Sequence, residues 1–340
     1  MSLVGNITVS GSLTISGSII VSGSASPFTG SFSGDGSALT NVTSSLSSDK
    51  VYERGSTTDN IIPVTGSNTN LSIFSTIGGG RNNVISGSNN SFIGGGFEHT
   101  MTGSSATLNQ ANVIVGGFCN EHIGSSYSTI TGGGCNVIGK SYSFIGGGHK
   151  NAITSSGALA NGAIVGGYLN VLSGNASYSI IGSGQQNYIS AAAYNGVFAG
   201  RQNCISNVLT CYATIAGGYL NLIDSARCSF IGGGTQNCIQ AASGWGNTIG
   251  GGYINTIKET QMNTSTIGGG CCNCIDGAGL SNKSKNTISG GGGNEIIGGI
   301  ENSTIAGGSS NCIVSTLAVS YTHLRAHETR HDLVCRLLLE

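Results

Sequence analysis

Isoleucine and other apolar residues recur along most of the chain with a fixed phase. From Ser75 to Ile313 the unit S-x-I-x-G-G-x-x-N-x-I occurs fourteen times, and its first apolar residue, called here the lead residue, returns after 15 to 21 residues. This spacing is too short for repeats built from helix pairs, and so much glycine would destabilise helices. The pattern predicts an all-β, fibrous fold, a parallel β-solenoid or β-roll of about fourteen short coils. The lead residues are Ile77, Ile93, Ile114, Ile130, Ile145, Ile164, Ile181, Val197, Ile215, Ile231, Ile249, Ile267, Ile288 and Ile305.

Three further columns of the repeat predict distinct structural roles. Three residues after the lead residue every copy has glycine, which indicates either a positive φ or an approach too close for a Cβ. Six residues after it every copy except His99 has asparagine, which tolerates left-handed backbone and is expected to hydrogen-bond from coil to coil. Eight residues after it lies a second apolar column, with His122 as the polar exception. In two copies the four columns are Ile77, Gly80, Asn83 and Ile85, and Ile231, Gly234, Asn237 and Ile239.

The two apolar columns are expected to point inward, and the variable residue before the second one to point outward. Two columns make a thin core for a chain that must order this many residues. Association would also protect the strand edges at the ends of a stacked array. We therefore predict a homotrimer.

The segments before the array have a different pattern. Residues 7–24 form three hexads, ITVSGS, LTISGS and IIVSGS, in which alternating apolar positions and Ser-Gly pairs predict short strands and turns. We assign residues 1–26 to this β-repeat shaft, residues 27–48 to a segment containing FSGDGSALTNV, and residues 49–74 to a polar connector. The solenoid array then covers residues 75–313.

Two of these motifs resemble known fibre proteins. FSGDGSALTNV, after short Ser-Gly repeats, resembles bacteriophage tail-fibre and related virion fibre proteins. The fourteen-copy array resembles the head repeats of trimeric autotransporter adhesins, which form a trimeric parallel β-roll. The resemblance implies a fibre, assembled in the host cytoplasm and located in the virion, that joins other tail proteins and binds a host cell-surface glycan or protein. A bacterial trimeric adhesin on the cell surface is the alternative.

The end of the chain differs from the array. After residues 314–317, residues 318–340 contain charges, histidines and leucines but no glycine. The strings VSYTHLRAHET and DLVCRLLLE within them resemble the translation of a sequencing adapter. On this interpretation the native sequence is truncated near Leu317, and the histidines and the cysteine of the tail have no biological role.

Composition narrows the function classes. The 340 residues include 59 glycines, 8% are charged, and the formal net charge is -1. A nucleic-acid or anionic-membrane binder would be expected to carry a basic surface, so neither class is favoured. The sequence contains no run of 18 apolar residues and no basic, apolar leader at its start, so we expect neither membrane insertion nor a signal peptide.

Cysteine, histidine and glycine give weak signals for chemistry. The spacing in CCNC at residues 271–274 does not match paired zinc knuckles, and the glycine runs lack the Lys-Ser/Thr of a phosphate loop. We expect no metal and no cofactor, and free thiols in a reducing cytoplasm, with axial disulfides as the alternative. Four cysteines share the outward column, namely Cys204, Cys238, Cys274 and Cys312.

An enzyme on a solenoid would need clustered acids and bases. The nearest approach is Glu98, His99, Glu121 and His122, which interrupt the repeat in two neighbouring copies and are also explained as irregular terminal coils. We therefore expect no catalytic activity, with a polysaccharide lyase as a remote alternative. An ice-binding protein would need a regular outward threonine array, and the outward columns are mixed.

The candidate receptor contacts are aromatic residues near the predicted corners. They lie four residues after the lead residue, where their rings could stack on sugar rings or on one another from coil to coil. They are Phe118, Tyr168, Tyr219 and Tyr253.

Overall fold

The computed structural model describes most of the array and short pieces on either side of it. The described residues are 52–54, 61–63, 66–103, 111–154, 161–242, 244–259, 264–277, 285–298, 300, 302–314 and 323–324. Within these ranges every regular element is a β-strand. The hexads, the FSGDGSALTNV segment and all of the tail except 323–324 lie outside the described residues.

Short strands alternate between two sheets along the chain. They are β1 (Tyr52–Arg54), β2 (Ile61–Pro63), β3 (Thr69–Asn70), β4 (Thr76–Ile77), β5 (Val84–Ser86), β6 (Phe92–Ile93), β7 (Thr100–Thr102), β8 (Val113–Ile114), β9 (Glu121–Ile123), β10 (Thr129–Ile130), β11 (Val137–Ile138), β12 (Phe144–Ile145), β13 (Ala152–Ile153), β14 (Ala163–Ile164), β15 (Val171–Gly174), β16 (Ile180–Ile181), β17 (Tyr188–Ala191), β18 (Gly196–Val197), β19 (Cys204–Asn207), β20 (Thr214–Ile215), β21 (Leu222–Asp224), β22 (Phe230–Ile231), β23 (Cys238–Ala241), β24 (Thr248–Ile249), β25 (Thr256–Glu259), β26 (Thr266–Ile267), β27 (Cys274–Gly277), β28 (Thr287–Ile288), β29 (Glu295–Ile297), β30 (Thr304–Ile305), β31 (Cys312–Val314) and β32 (His323–Leu324).

Parallel pairing in register stacks each coil on the next. The even-numbered strands form the lead sheet, in which Ile77 pairs with Ile93 and Ile93 with Ile114. The odd-numbered strands from β3 onward form the second sheet, in which Ile85 pairs with Met101. Every coil therefore presents the same column of the repeat at the same place, and the predicted parallel β-solenoid is confirmed.

The stacking begins before Ser75, within the residues assigned to the connector. β1 and β2 pair antiparallel. Ile61 of β2 then pairs in parallel with Thr76, and β3 pairs with β5. At the other end β32 pairs in parallel with β30, so residues 323–324 occupy the next rung of the lead sheet.

The core lies between the two sheets and is closed within one chain. Ile77, Ile85, Ile231 and Ile239 are all 0% exposed. The inward direction predicted for both apolar columns is confirmed. Since these columns are buried without a second chain, any association must use the outer surface.

The invariant glycine column turns a corner where a side chain cannot fit. Gly80 has a φ of 81°, and Gly234 has a φ of 83°. A Cβ on Gly80 would lie 2.0 Å from the carbonyl oxygen of Gly96, and one on Gly234 would lie 2.1 Å from that of Gly252. Both reasons predicted for a fixed glycine therefore apply together.

The asparagine column forms a buried ladder along the solenoid. The backbone N–H of Asn237 donates to Oδ1 of Asn221 at 3.0 Å. Its Nδ2 donates to the carbonyls of Gly233 and Gly252 at 2.8 and 3.0 Å. The predicted axial hydrogen bonding is confirmed. The left-handed backbone is found one residue earlier, as at Gln236 with a φ of 56°, and not at the ladder asparagines.

A second buried polar ladder runs two residues before the lead residue, at the Ser of S-x-I. Ser91 donates its backbone N–H to Oγ of Ser75, and Asn112 donates to Oγ of Ser91, both at 3.1 Å. Ser128 in turn donates its N–H to Oδ1 of Asn112 at 3.1 Å. Serine or asparagine occupies this column in every copy except those with Gly162 and Ala213. Either side chain places an oxygen where the next N–H needs one.

Among the described residues we find no helix of a length and hydropathy suited to crossing a membrane.

Candidate functional site

The four predicted receptor contacts all lie on one exposed corner of the solenoid. Phe118, Tyr168, Tyr219 and Tyr253 are 38 to 47% exposed. Parallel bridges join this corner column from coil to coil, as between Phe97 and Phe118. The backbone therefore holds their rings in one line along the surface.

Most of these aromatic rings also contact a neighbour in the corner column. Phe97 and Phe118 stack with centroids 5.7 Å apart and planes 8° apart. Tyr168 stacks on His149 at 5.7 Å. The guanidinium of Arg201 lies 5.6 Å from the centroid of the Tyr219 ring. For these three residues coil-to-coil stacking is confirmed, and it leaves the ring edges exposed.

A second and more continuous aromatic row lies on the opposite side of the lead strand, three residues before the lead residue. We call it the tyrosine column, and its members are 46 to 58% exposed. Sequence reasoning missed it, although the string Tyr-Ser-x-Ile recurs in the chain and would have revealed it. Its tyrosines are Tyr127, Tyr142, Tyr178, Tyr194 and Tyr212.

The tyrosines stack almost parallel to one another. Centroids are 5.2 Å apart for Tyr127 and Tyr142, 5.1 Å for Tyr178 and Tyr194, and 4.9 Å for Tyr194 and Tyr212. All five have a φ between 53° and 65°, a region that bulky residues rarely occupy. Such backbone strain costs about 1 to 3 kcal/mol per residue, and ring stacking returns about 0.5 to 1.5 kcal/mol per pair. Exposed tyrosine is thus placed where asparagine or glycine would be less strained.

Known proteins give no direct guide to this surface. No protein-family model matches the chain. No curated protein sequence matches it either. The functional argument therefore depends on the chemistry of the described surface.

The outer surfaces of the two sheets differ in charge. The flat face is the outer surface of the lead sheet, made of the residues directly before and after each lead residue. Over the fourteen described lead strands β4 to β30 it carries no charged side chain. The outer surface of the second sheet carries five, namely Glu121, Asp224, Lys258, Asp276 and Glu295.

Phenylalanine on the flat face is accommodated by glycine. A Cβ on Gly94 would lie 3.3 Å from the ring of Phe92, and Gly146 has the same relation to Phe144. The ring therefore lies over the glycine two residues later in the same coil. This arrangement limits how far the rings stand out from the sheet.

The candidate acid-base cluster does not form one site. His99 and His122 are 0% exposed, whereas Glu98 lies on the surface. Nδ1 of His99 accepts the backbone N–H of Asn120 at 3.0 Å, so this ring replaces the ladder asparagine as an acceptor. Burial lowers the pKa of His99. The two histidines therefore belong to the interior. Glu98 instead accepts a hydrogen bond from the thiol of Cys119 at 3.7 Å.

His122 occupies the second apolar column with both ring nitrogens paired. Nδ1 lies 3.0 Å from Oγ of Ser125, and Nε2 lies 3.2 Å from the carbonyl oxygen of Val113. A neutral ring with its proton on Nε2 satisfies both partners. Burial lowers the pKa of His122 to about 4, so the ring stays neutral near pH 7.

The ten cysteines of the described residues are all free thiols. Cys204 and Cys238 are separated in the second sheet by Leu222, so cysteines of this column are not direct neighbours. Burial raises the pKa of Cys238 to about 11, which disfavours the reactive thiolate. Within the described part of the chain, no group of three or more histidine, cysteine or acidic residues is arranged to hold a metal ion.

One buried carboxyl group lies in the C-terminal half of the solenoid. Glu259 is 3% exposed and accepts a hydrogen bond from the hydroxyl of Ser265. Burial raises its pKa to about 7. It borders an open cavity of about 380 Å³ whose charged lining is Asp224, Lys258, Glu259 and Asp276. The repeat pattern gave no signal for it, since neighbouring copies have Ala241 and Gly277 at this position.

Proposed function

We propose that this protein is a structural and adhesive fibre subunit, a phage tail fibre that displays a host receptor-binding surface. The observation that carries the proposal is the display of aromatic side chains in two exposed columns on a regular parallel solenoid. Aromatic rings with exposed edges and polar tips are typical of binding surfaces. A host cell-surface glycan or protein is the proposed ligand.

The interior of the solenoid supports this mechanical role. Two buried polar ladders and two buried apolar columns hold successive coils in register. Each coil therefore fixes the position of the aromatic residue that it carries. A receptor would meet side chains carried on coils about 4.8 Å apart along a stiff scaffold, so little conformational entropy of the protein is lost on binding.

The proposed assembly is a homotrimer that associates through the flat face. Fourteen coils at about 4.8 Å give a face roughly 65 Å long. A strip about 12 Å wide would then bury about 800 Å² on each chain, or about 400 Å² against each of its two neighbours in a trimer. The residues of the flat face are uncharged and are mainly glycine, threonine and apolar residues. They suit such packing because no charge would have to be buried unpaired.

Other virion tail proteins are the further proposed partners, and the virion is the proposed location after assembly in the host cytoplasm. The ten free thiols of the described part of the chain are consistent with folding in a reducing compartment. A trimeric adhesin on a bacterial surface is the alternative, since it would use the same scaffold and the same aromatic columns.

Binding to cells tests the proposal. Labelled purified protein is incubated with a panel of bacterial cells, before and after periodate oxidation of their surface glycans. We expect saturable binding to a subset of cells, lost when Tyr168, Tyr219 and Tyr253 are all changed to Ser. Unchanged circular dichroism of the variant controls for its fold. If the parent binds none of the cells, the adhesive function is wrong, and if the triple variant binds as well as the parent, the corner column is not the contact surface.

One observation favours a second candidate function, ice binding. Thr248, Thr266, Thr287 and Thr304 pair in register on four consecutive lead strands. The mixed pattern expected from the sequence therefore includes a regular threonine run on the flat face. Thermal hysteresis of a concentrated solution would support this function, and its absence would exclude it.

A further inference from the structure

The tyrosine column is interrupted once, and the interruption has the size of one ring. Tyr142 and Tyr178 belong to coils that flank the coil of Asn161. Strand pairing shows that this is a single coil, because Ala163 of β14 pairs with Phe144 on one side and with Ile180 on the other. Asn161 therefore occupies the place of a ring in the stack.

The geometry of the column defines the slot. Stacked tyrosines elsewhere in it have centroids 4.9 to 5.2 Å apart. Two such steps correspond to about 10 Å between the rings of Tyr142 and Tyr178, a spacing that would accept one further ring in contact with both. Asn161 has a φ of 42° and so shares the left-handed backbone of its neighbours. The three residues thus keep the alignment of the column although the middle ring is missing.

The two tyrosines that border the slot belong to the exposed surface of the solenoid. Tyr142 is 55% exposed and Tyr178 is 46% exposed, and Asn161 is half-buried between them. Tyr194, which is stacked on both sides, is 48% exposed, so these exposed fractions describe ring edges and not ring faces. Tyr142 and Tyr178 each lack a tyrosine neighbour on the side of Asn161, so each has a ring face directed towards the slot.

We propose that a neutral sugar in pyranose form binds between Tyr142 and Tyr178, with its hydroxyls hydrogen-bonded to the Asn161 carboxamide. The apolar faces of a pyranose ring match two flat aromatic walls, and a few polar groups suffice to orient such a ligand. A carboxamide offers two donors and one acceptor, which suits hydroxyl groups. The two phenols and the carboxamide are uncharged, so they favour a neutral sugar over an acidic one. The inference rests on the proposed receptor-binding function and names the ligand class of that surface.

Filling the slot tests the inference. Asn161→Tyr would place the missing ring in the stack, and the neighbouring coils show that tyrosine is accepted at this backbone position. Asn302→Tyr is the matched control, since Asn302 is an exposed member of the same column with a φ of 56°. The ligands are the methyl glycosides of glucose, galactose, mannose and N-acetylglucosamine, and binding is measured by saturation-transfer NMR.

We expect at least one of the methyl glycosides to bind the parent and the Asn302→Tyr protein equally. Asn161→Tyr should weaken that binding at least tenfold. Should Asn161→Tyr fail to fold, Tyr178→Ser removes one wall and should have the same effect. The inference is overturned if none of the four binds the parent, or if neither variant weakens binding.

The same proteins separate this inference from the proposed function. If the parent binds cells and Asn161→Tyr binds them equally well, sugar binding in the slot is contradicted and the adhesive function stands. If the parent binds a glycoside but no cells, and Asn161→Tyr loses the glycoside binding, sugar binding in the slot is supported and the adhesive function is contradicted.

Discussion

The carboxamide of Asn237 connects directly to that of Asn255 in the next coil. The backbone N–H of Asn255 donates to Oδ1 of Asn237 at 3.0 Å, and its Nδ2 lies 3.2 Å from the same oxygen. Asn237 also donates from Nδ2 to the carbonyl of Gly252, in the coil of Asn255. One side chain therefore holds two coils in register through groups that are buried from water.

Asn237→Ala is expected to lower the free energy of unfolding by about 2 to 4 kcal/mol, because it removes the acceptor of the buried Asn255 N–H and the side-chain donor to the carbonyls of Gly233 and Gly252. Urea denaturation followed by circular dichroism measures the change. Gln236→Asn is the matched control at the exposed, left-handed neighbour, and it should leave stability unchanged or slightly raise it. Equal effects of the two substitutions would contradict the structural role of the ladder.

Adjacent glycines should differ sharply in their tolerance of a side chain. Gly133 has a φ of 81°, and a Cβ there would lie 2.1 Å from the carbonyl oxygen of Gly148. Gly132 has no neighbouring atom within 4 Å of such a Cβ. We expect Gly133→Ala to destabilise the protein by at least about 2 kcal/mol and Gly132→Ala to change stability by less than about 0.5 kcal/mol. Thermal unfolding of both variants measures this difference. Equal melting temperatures would contradict the prediction that only Gly133 must be glycine.

The repeat predicted the fold because each column has a single physical task. Ile77 and Ile85 are apolar as inward columns must be, and Gly80 is glycine because nothing else fits. Comparing copies within one chain was therefore enough to predict the coils and the axial hydrogen bonds. The left-handed position was assigned to the wrong column because Asn82, Cys119 and Gln236 share little except their backbone.

The surface was harder to predict than the core. The corner aromatics were identified because they share one spacing from the lead residue, but the tyrosine column was missed although Tyr127 and Tyr142 share another. Sequence spacing does not show which exposed residues stack, since that depends on the direction in which each corner points its side chains. The buried carboxyl of Glu259 had no counterpart in other copies, so no pattern could reveal it.

The buried imidazole of His122 should make the protein less stable in acid. Its pKa is lowered from 6.5 to about 4, so the unfolded chain takes up this proton at higher pH than the folded one. The contribution of neutral His122 to the free energy of unfolding is therefore fully present above pH 6.5. It falls by about 3 kcal/mol in total as the pH is lowered towards 4. His122→Ile restores the apolar residue of the repeat and should remove this part of the slope. An unchanged slope in urea titrations from pH 7 to pH 4 would contradict the assignment.

Glu259 should act in the opposite direction. Burial raises its pKa from 4.5 to about 7, so the folded protein keeps this proton to higher pH than the unfolded chain. The contribution of the protonated Glu259 carboxyl to the free energy of unfolding is fully present below pH 4.5. About 3 kcal/mol of it is lost as the pH rises to about 7. Glu259→Gln keeps an acceptor for Ser265 and cannot ionise. The variant should therefore gain stability relative to the parent as the pH rises from 4.5 to 7, and a constant difference would count against the buried carboxyl.

A charge on the flat face should prevent association of the chains. Val165 lies next to a lead residue and is 52% exposed, so Val165→Lys leaves the core intact. If three chains pack through this face, the lysine would be buried without a partner, which costs several kcal/mol at each copy. Sedimentation analysis should give the mass of a trimer for the parent and of a monomer for the variant. Val137→Lys, on the outer surface of the second sheet, is the matched control and should remain trimeric. A monomeric parent would contradict the trimer, and a trimeric Val165→Lys protein would place the interface on another surface.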